Sequence, residues 1–219
     1  MPLLVKICGL STRETLDAAL DAGADMVGFV FFPPSPRHLE LDVARRLGQA
    51  IKRRAVKVAL TVDADDATLA GIVEVLDPDI LQLHGRETPE RVADIRRKFS
   101  REVMKALPVE RADDLAALPD YIAVADRILF DARPPKGATR PGGLGAVFDW
   151  RLLENLDLEL PFMVSGGLHA GNVADAIGIT RAGGVDVSSG VERAPGLKDV
   201  EMIRDFIRAA RASQELGVR

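Results

Sequence analysis

Cysteine is almost missing from this chain. Its 219 residues hold one, along with one tryptophan, one tyrosine and three histidines. One cysteine cannot form an intrachain disulfide, so stability must come from a packed core, and a lone thiol fits a reducing compartment. An excess of one charge is missing too: 29 Lys+Arg face 33 Asp+Glu, for a net charge of −4. The basic residues scatter along helical stretches as solvated faces, and no nucleic-acid-binding motif is present, so no nucleic-acid partner is expected. No apolar run nears the roughly 20 residues of a membrane span. The N-terminus enters a strand-like segment with no charged region ahead of an apolar one, so no export signal is read there. These absences give the expectation of a cytoplasmic protein with no membrane partner. The histidines show no ligand spacing, and His38 and His169 have no partner pattern, so no metal site is expected.

Apolar mass is plentiful, at 47% hydrophobic against 28% charged residues, enough for one large core. Short apolar runs alternate with amphipathic ones. Strands are expected at Leu3–Ile7, Met26–Phe31, Val56–Val62, Ile80–Leu83, Glu102–Ala106, Arg127–Phe130, Phe162–Val164 and Val185–Val187. Most lack polar alternation, as do parallel strands covered on both faces. Helices are expected at Thr12–Ala22, Leu41–Arg53, Asp65–Leu76, Pro89–Phe99, Asp149–Leu153, Ala170–Ile177 and Asp199–Ala212. The first has Ser11 as its N-cap and Glu14 completing a capping box. Val109–Ala125 reads either as a helix or as a turn and loop. Eight strands in 219 residues, about 27 per βα unit, suit the small end of the eight-fold βα (TIM) barrel, here one domain over residues 1–219. A doubly wound sheet is the alternative, though it usually has fewer strands.

In such a barrel the loops after the strands carry the chemistry. Two Pro/Gly-rich clusters, Pro33–Pro36 and Pro134–Gly145, follow strands two and six. Val164-Ser165-Gly166-Gly167 follows strand seven and Ser188-Ser189-Gly190 follows strand eight. Glycine turns in these two places let backbone N–H groups approach a phosphate, a more specific signal than one tight turn alone. Asp131 ends strand six and Cys8 ends strand one. The carboxylate could cap a turn, and a lone apolar-flanked cysteine is usually core. In a closed barrel, however, both face one mouth, where a thiol and a carboxylate can serve as an acid/base pair. Arg37 closes a proline-stiffened loop and suits bidentate carboxylate binding, against the alternative of a surface arginine. His84, after Leu81-Gln82-Leu83, joins the candidate substrate-binding residues, its simpler reading being a hydrogen-bonded rim histidine.

Taken together these residues carry a resemblance. The chain resembles the phosphoribosylanthranilate isomerase family of tryptophan biosynthesis through KICG (Lys6–Gly9), GADMVGFVF (Gly23–Phe31), SPR (Ser35–Arg37), LQLHG (Leu81–Gly85) and LFDA (Leu129–Ala132). GGLG (Gly142–Gly145), FDW (Phe148–Trp150), SGGL (Ser165–Leu168), VDVSSGVE (Val185–Glu192) and PGLKD (Pro195–Asp199) continue it in the family order. Leu144 departs from the threonine often found in the family's glycine loop. The resemblance implies an eight-fold βα barrel that isomerises N-(5′-phosphoribosyl)anthranilate by an Amadori rearrangement. Cys8 would be general base and Asp131 general acid. Arg37 would hold the anthranilate carboxylate, and Gly166, Gly167, Ser188, Ser189 and Gly190 the phosphate. No redox step occurs, so neither organic cofactor nor metal is expected. The only partner implied is the small phosphosugar-anthranilate substrate, with the protein a monomer or homodimer. A thiolate near neutral pH needs local help, and Asp131 must be protonated at working pH. Rivals are the histidine-pathway isomerase, which has an aspartate where this chain has Cys8, a metal-dependent ribulose-phosphate epimerase, and a non-catalytic phosphosugar-binding barrel.

Overall fold

The structure is a computed structural model that describes residues 2–134, 137–138 and 140–217, with side chains in the last helix described through residue 213. Its eight main strands are β1 (Leu4–Cys8), β2 (Met26–Phe31), β3 (Val56–Thr61), β4 (Ile80–Leu83), β5 (Glu102–Val109), β6 (Arg127–Ala132), β7 (Phe162–Val164) and β8 (Gly184–Val187). They pair in sequence order, all parallel, and β8 returns to β1 to close the barrel. Outside lie α1 (Arg13–Asp21), α2 (Leu41–Ile51), α3 (Asp66–Leu76), α4 (Pro89–Phe99), α5 (Leu118–Ile122), α6 (Val173–Thr180) and α7 (Val200–Gly217).

Alternation along the strands divides the core in two. Outward-facing Leu81, Val103, Ile128, Val164 and Val185 pack with helix residues such as Leu16, Leu47, Ile72 and Phe206. The bottom of the barrel interior is filled by Met26, Val58, Ile80, Met104, Ala106, Leu129 and Met163. Polar side chains, Lys6, Gln82 and Asp186, also lie buried on the strands. Cys8, Val30 and Leu60 then cluster toward the mouth. Thus apolar strand runs build both the floor and the outer layer, and the interior turns polar as the active end approaches.

Local differences from the sequence expectation have local causes. Thr12, not Ser11, caps α1, its hydroxyl accepting from the Thr15 N–H at 3.2 Å. Extended φ/ψ at Thr12 leaves Ser11 one residue outside the cap position. Asp65 likewise caps α3 rather than belonging to it. α2 stops at Ile51 because Lys52 turns left-handed at φ 50°. α6 starts at Val173: the Asn172 side-chain carbonyl accepts from the His169 N–H, holding the preceding residues in a turn. The 149–153 stretch is a 3₁₀ turn, Trp150–Leu153, capped by Asp149. The ambiguous Val109–Ala125 stretch is split between the end of β5, a 3₁₀ turn at Ala112–Ala117 and the short α5. Neither piece is long enough to show a clear helical period. A small antiparallel pair, β9 (Glu192–Ala194) with β10 (Leu197–Lys198), follows β8 and was not expected.

Candidate active site

Cys8, Asp131, Arg37 and His84 line one cleft at the C-terminal ends of the strands, with Ser165, Gly166, Gly167, Ser188 and Ser189. Leu144 also lines it and is partly exposed. Of the Pro134–Gly145 loop, Pro135, Lys136 and Thr139 lie outside the described residues.

Cys8 is 3% exposed. Its register partner on β2 is Gly28, and a Cβ there would sit 2.8 Å from the sulfur, so this glycine makes room for the thiol. Burial pushes the Cys8 thiol above its ordinary 9.0, with nearby Asp186 adding to the rise, and the cations of Lys6 and Lys198 only partly offset it. The help expected for a thiolate is therefore present in Lys6 but outweighed by burial. Lys6 is fully buried and donates to Asp186 Oδ2 at 2.9 Å. Its burial favours the neutral amine, yet Asp186 and Cys8 more than compensate and hold its pKa up.

Asp131 is 5% exposed. Its Oδ1 accepts from the Ala132 N–H at 2.9 Å, and its Oδ2 lies 3.1 Å from His84 Nε2. His84 is thus hydrogen-bonded on the rim and also faces the cleft. Beneath it a second buried network fixes the β4–α4 turn. Lys105 donates to the Gly85 carbonyl at 2.8 Å and to Glu87 at 2.7 Å, and Glu87 accepts from the Asp63 and Gly85 N–H groups.

Arg37 is no surface residue, at 4% exposure. Its Nε and one terminal nitrogen each donate to Glu192 at 2.7 Å, a bidentate fork, and the latter also reaches the Gly143 carbonyl at 3.1 Å. Lys198 donates to the same carboxylate at 2.8 Å and to the Ser188 carbonyl at 2.8 Å. Burial would raise Glu192, but the bonds and charges of Arg37 and Lys198 win and hold it below its ordinary 4.5. Burial takes Lys198 down to about 8 despite the pull of Glu192. The cluster has two cations on one anion, a net positive charge beside the Ser188 turn.

Gly166 and Gly167 adopt left-handed φ of 87° and 62°, which glycine tolerates best. Gly190 follows Ser188 and Ser189 directly, and its Cα packs under the Leu168 carbonyl, where an added Cβ would come within 1.8 Å of the oxygen, so only glycine fits there. This contact interlocks the turn after β8 with the turn after β7. Sequence reasoning missed Glu192, Lys198 and Arg140. The first two sit in VDVSSGVE and PGLKD without a spacing that announces an ion pair. Arg140 was visible as the arginine of the glycine loop. It lines the cleft, and among the described residues it has no carboxylate partner. Among the described residues no group of three or more His, Cys, Asp or Glu could hold a metal, and no helix is long and apolar enough to cross a membrane.

Fold and mouth together define a βα-barrel enzyme of the acid–base kind, with its polar groups at the C-terminal end of the barrel. The chain belongs to the N-(5′-phosphoribosyl)anthranilate (PRA) isomerase family, whose model matches residues 5–209. It is 74% identical to the N-(5′-phosphoribosyl)anthranilate isomerase of Bradyrhizobium diazoefficiens, over all of both chains. It is similar to the crystal structure of phosphoribosyl anthranilate isomerase from Thermotoga maritima, at a TM-score of 0.87 and 34% identity, over 96% of this chain and 99% of that one. A further phosphoribosyl anthranilate isomerase structure, in complex with reduced 1-(o-carboxyphenylamino)-1-deoxyribulose 5-phosphate, aligns at a TM-score of 0.84 and 32% identity, over 96% of this chain and 99% of that one.

Proposed function

We propose that this chain isomerises N-(5′-phosphoribosyl)anthranilate to 1-(2-carboxyphenylamino)-1-deoxyribulose 5-phosphate in tryptophan biosynthesis, with Asp131 as general acid and Cys8 as general base. The observation that carries the assignment of roles is that the acid, the thiol and both glycine-bearing turns line a single cleft. Asp131 protonates the furanose ring oxygen. The bond from that oxygen to C1′ breaks, and the nitrogen lone pair forms the iminium. Cys8 then takes the C2′ proton, and the electrons of that bond neutralise the iminium as an enolamine. Protonation at C1′ and loss of the enol proton give the ketone.

The raised thiol pKa fits this order. Burial favours the neutral thiol of Cys8, and a cationic iminium beside it favours the thiolate, since an opposite charge stabilises the ionised form. The Ser165–Gly167 and Ser188–Ser189 turns bind the phosphate, next to the net positive Arg37–Glu192–Lys198 cluster. The anthranilate carboxylate goes to the arginines of the mouth, Arg37 and the unpaired Arg140, with His84 beside the acid. The reaction moves protons but no net electrons to an acceptor, so no cofactor enters this reading. We read the chain as one barrel domain working in the cytoplasm, where its free thiol stays reduced. The Thermotoga maritima relative has been described as dimeric, and a monomer or homodimer is our expectation here. The test is incubation with freshly generated phosphoribosylanthranilate, following loss of the anthranilate-type fluorescence. A folded protein that binds the reduced product but does not turn over the substrate would be a binding barrel instead.

A further inference from the structure

Gln82 is a polar side chain buried inside the barrel, outside the set of groups that touch the substrate. It lies on β4, two residues before His84, so strand alternation aims both side chains inward. It is fully buried, and its amide Nε2 is 3.2 Å from His84 Nδ1. An amide nitrogen can only donate, so Nδ1 must accept and carry no proton. The neutral ring then has its proton on Nε2, the atom 3.1 Å from Asp131 Oδ2. Oδ1 is already taken by the Ala132 N–H.

We infer that Gln82 fixes the Nε2–H tautomer of His84, so that His84 donates to Asp131 and the acid's own proton is left to point into the cleft. This rests on Asp131 being the general acid. With the opposite tautomer, His84 would offer Asp131 a bare Nε2, and the carboxyl O–H would turn onto the imidazole and away from the substrate. Local geometry gives the amide this single task. Its Oε1 is buried with no partner, so no second hydrogen bond explains a glutamine inside the barrel. Space on the other side is closed by the loop: a Cβ on Gly142 would lie 2.7 Å from Asp131 Oδ2 and 2.9 Å from His84 Nε2. The remaining freedom of the pair lies along the chain of hydrogen bonds that begins at Gln82.

The experiment is ¹⁵N NMR of the intact protein labelled at histidine, at pH about 8 where an ordinary imidazole is neutral, with the His84 signals assigned by their loss in His84→Gln. The expected result is a bare Nδ1 and a protonated Nε2. Gln82→Met keeps the volume and removes the donor. It should give a mixed tautomer and a kcat at least about tenfold lower, the scale of a misdirected acid, with KM within about threefold. A wild-type His84 protonated on Nδ1 overturns the inference, whether or not the variant folds. So does a Gln82→Met enzyme with wild-type kcat, or one that loses activity with the tautomer unchanged. Asp131→Asn with full activity would instead remove the acid assignment itself.

Discussion

Glu192→Gln tests the buried charge cluster. The carboxylate takes three bonds from cations, two from Arg37 at 2.7 Å and one from Lys198 at 2.8 Å, and a fourth from the Gly196 N–H at 3.2 Å. The partner side chains are 4% and 1% exposed. Glutamine keeps one neutral oxygen but puts an amide donor against a cation, leaves the buried Arg37 charge with no anion, and removes the pull that holds the proton on Lys198, already down to about 8. Breaking a buried pair from one side costs about 3–5 kcal/mol. At about 2–4 °C per kcal/mol for a protein of this size, Tm should fall by about 6–20 °C. Circular dichroism melts and urea titrations at pH 7 measure it. The pH dependence has a fixed sign. Glu192 is depressed in the folded state, so its stabilisation is present above its unfolded value near 4.5 and is lost as pH falls through the lower folded value. The gap between wild type and variant should therefore be widest near neutrality and narrow below pH 4.5. A Tm within about 2 °C of wild type at pH 7, or a gap that stays constant down to acid pH, would refute the reasoning.

Asp131→Asn should cut kcat by about 10²–10⁴-fold while binding of the reduced product survives; a folded variant with near wild-type kcat removes Asp131 from the mechanism. Iodoacetamide should modify Cys8 one-to-one, with loss of activity and with protection by the reduced product. Because burial raises the folded thiol above 9.0, the rate should still climb between pH 8 and about 9.5, and a plateau near pH 7 would contradict the raised value. Arg140→Ala should raise KM more than it lowers kcat, the pattern of lost uniform binding, without changing Tm. Arg37→Ala should raise KM and also lower Tm, since it strands Glu192; equal Tm values for the two variants would show that the Glu192 fork carries no stability.

Much of the fold was legible because its causes are local. Continuous apolar runs at β2 and β7 read as strands covered on both faces, and the spacing of eight strand-like runs favoured a closed parallel barrel over a doubly wound sheet. Pro89 at the helix start and the apolar period after it set α4 to the residue. Where local signals were weak or shared, boundaries slipped. Ser11 read as the cap of α1, and only backbone geometry moved the cap to the adjacent hydroxyl of Thr12. The site was legible in part for the same reason. Cys8 and Asp131 end strands, so topology alone brings them to one mouth, and the turns after β7 and β8 were marked by glycine.

Tertiary structure decided what those groups meet. Arg37 looked free in sequence, but the β9–β10 pair carries Glu192 and Lys198 back beneath it, from 155 residues further along the chain in the case of Glu192. The glycine at 190 was visible in the sequence, but only the fold shows that its Cα packs against the Leu168 carbonyl of the neighbouring turn. The thiol of Cys8 looked ready to ionise with help, and burial set its pKa in the other direction. Residue type and spacing determined the barrel and the end of it where chemistry occurs. Charge partners, burial and the direction of each hydrogen bond depend on contacts between distant segments, and the chain acquires those only when the barrel closes.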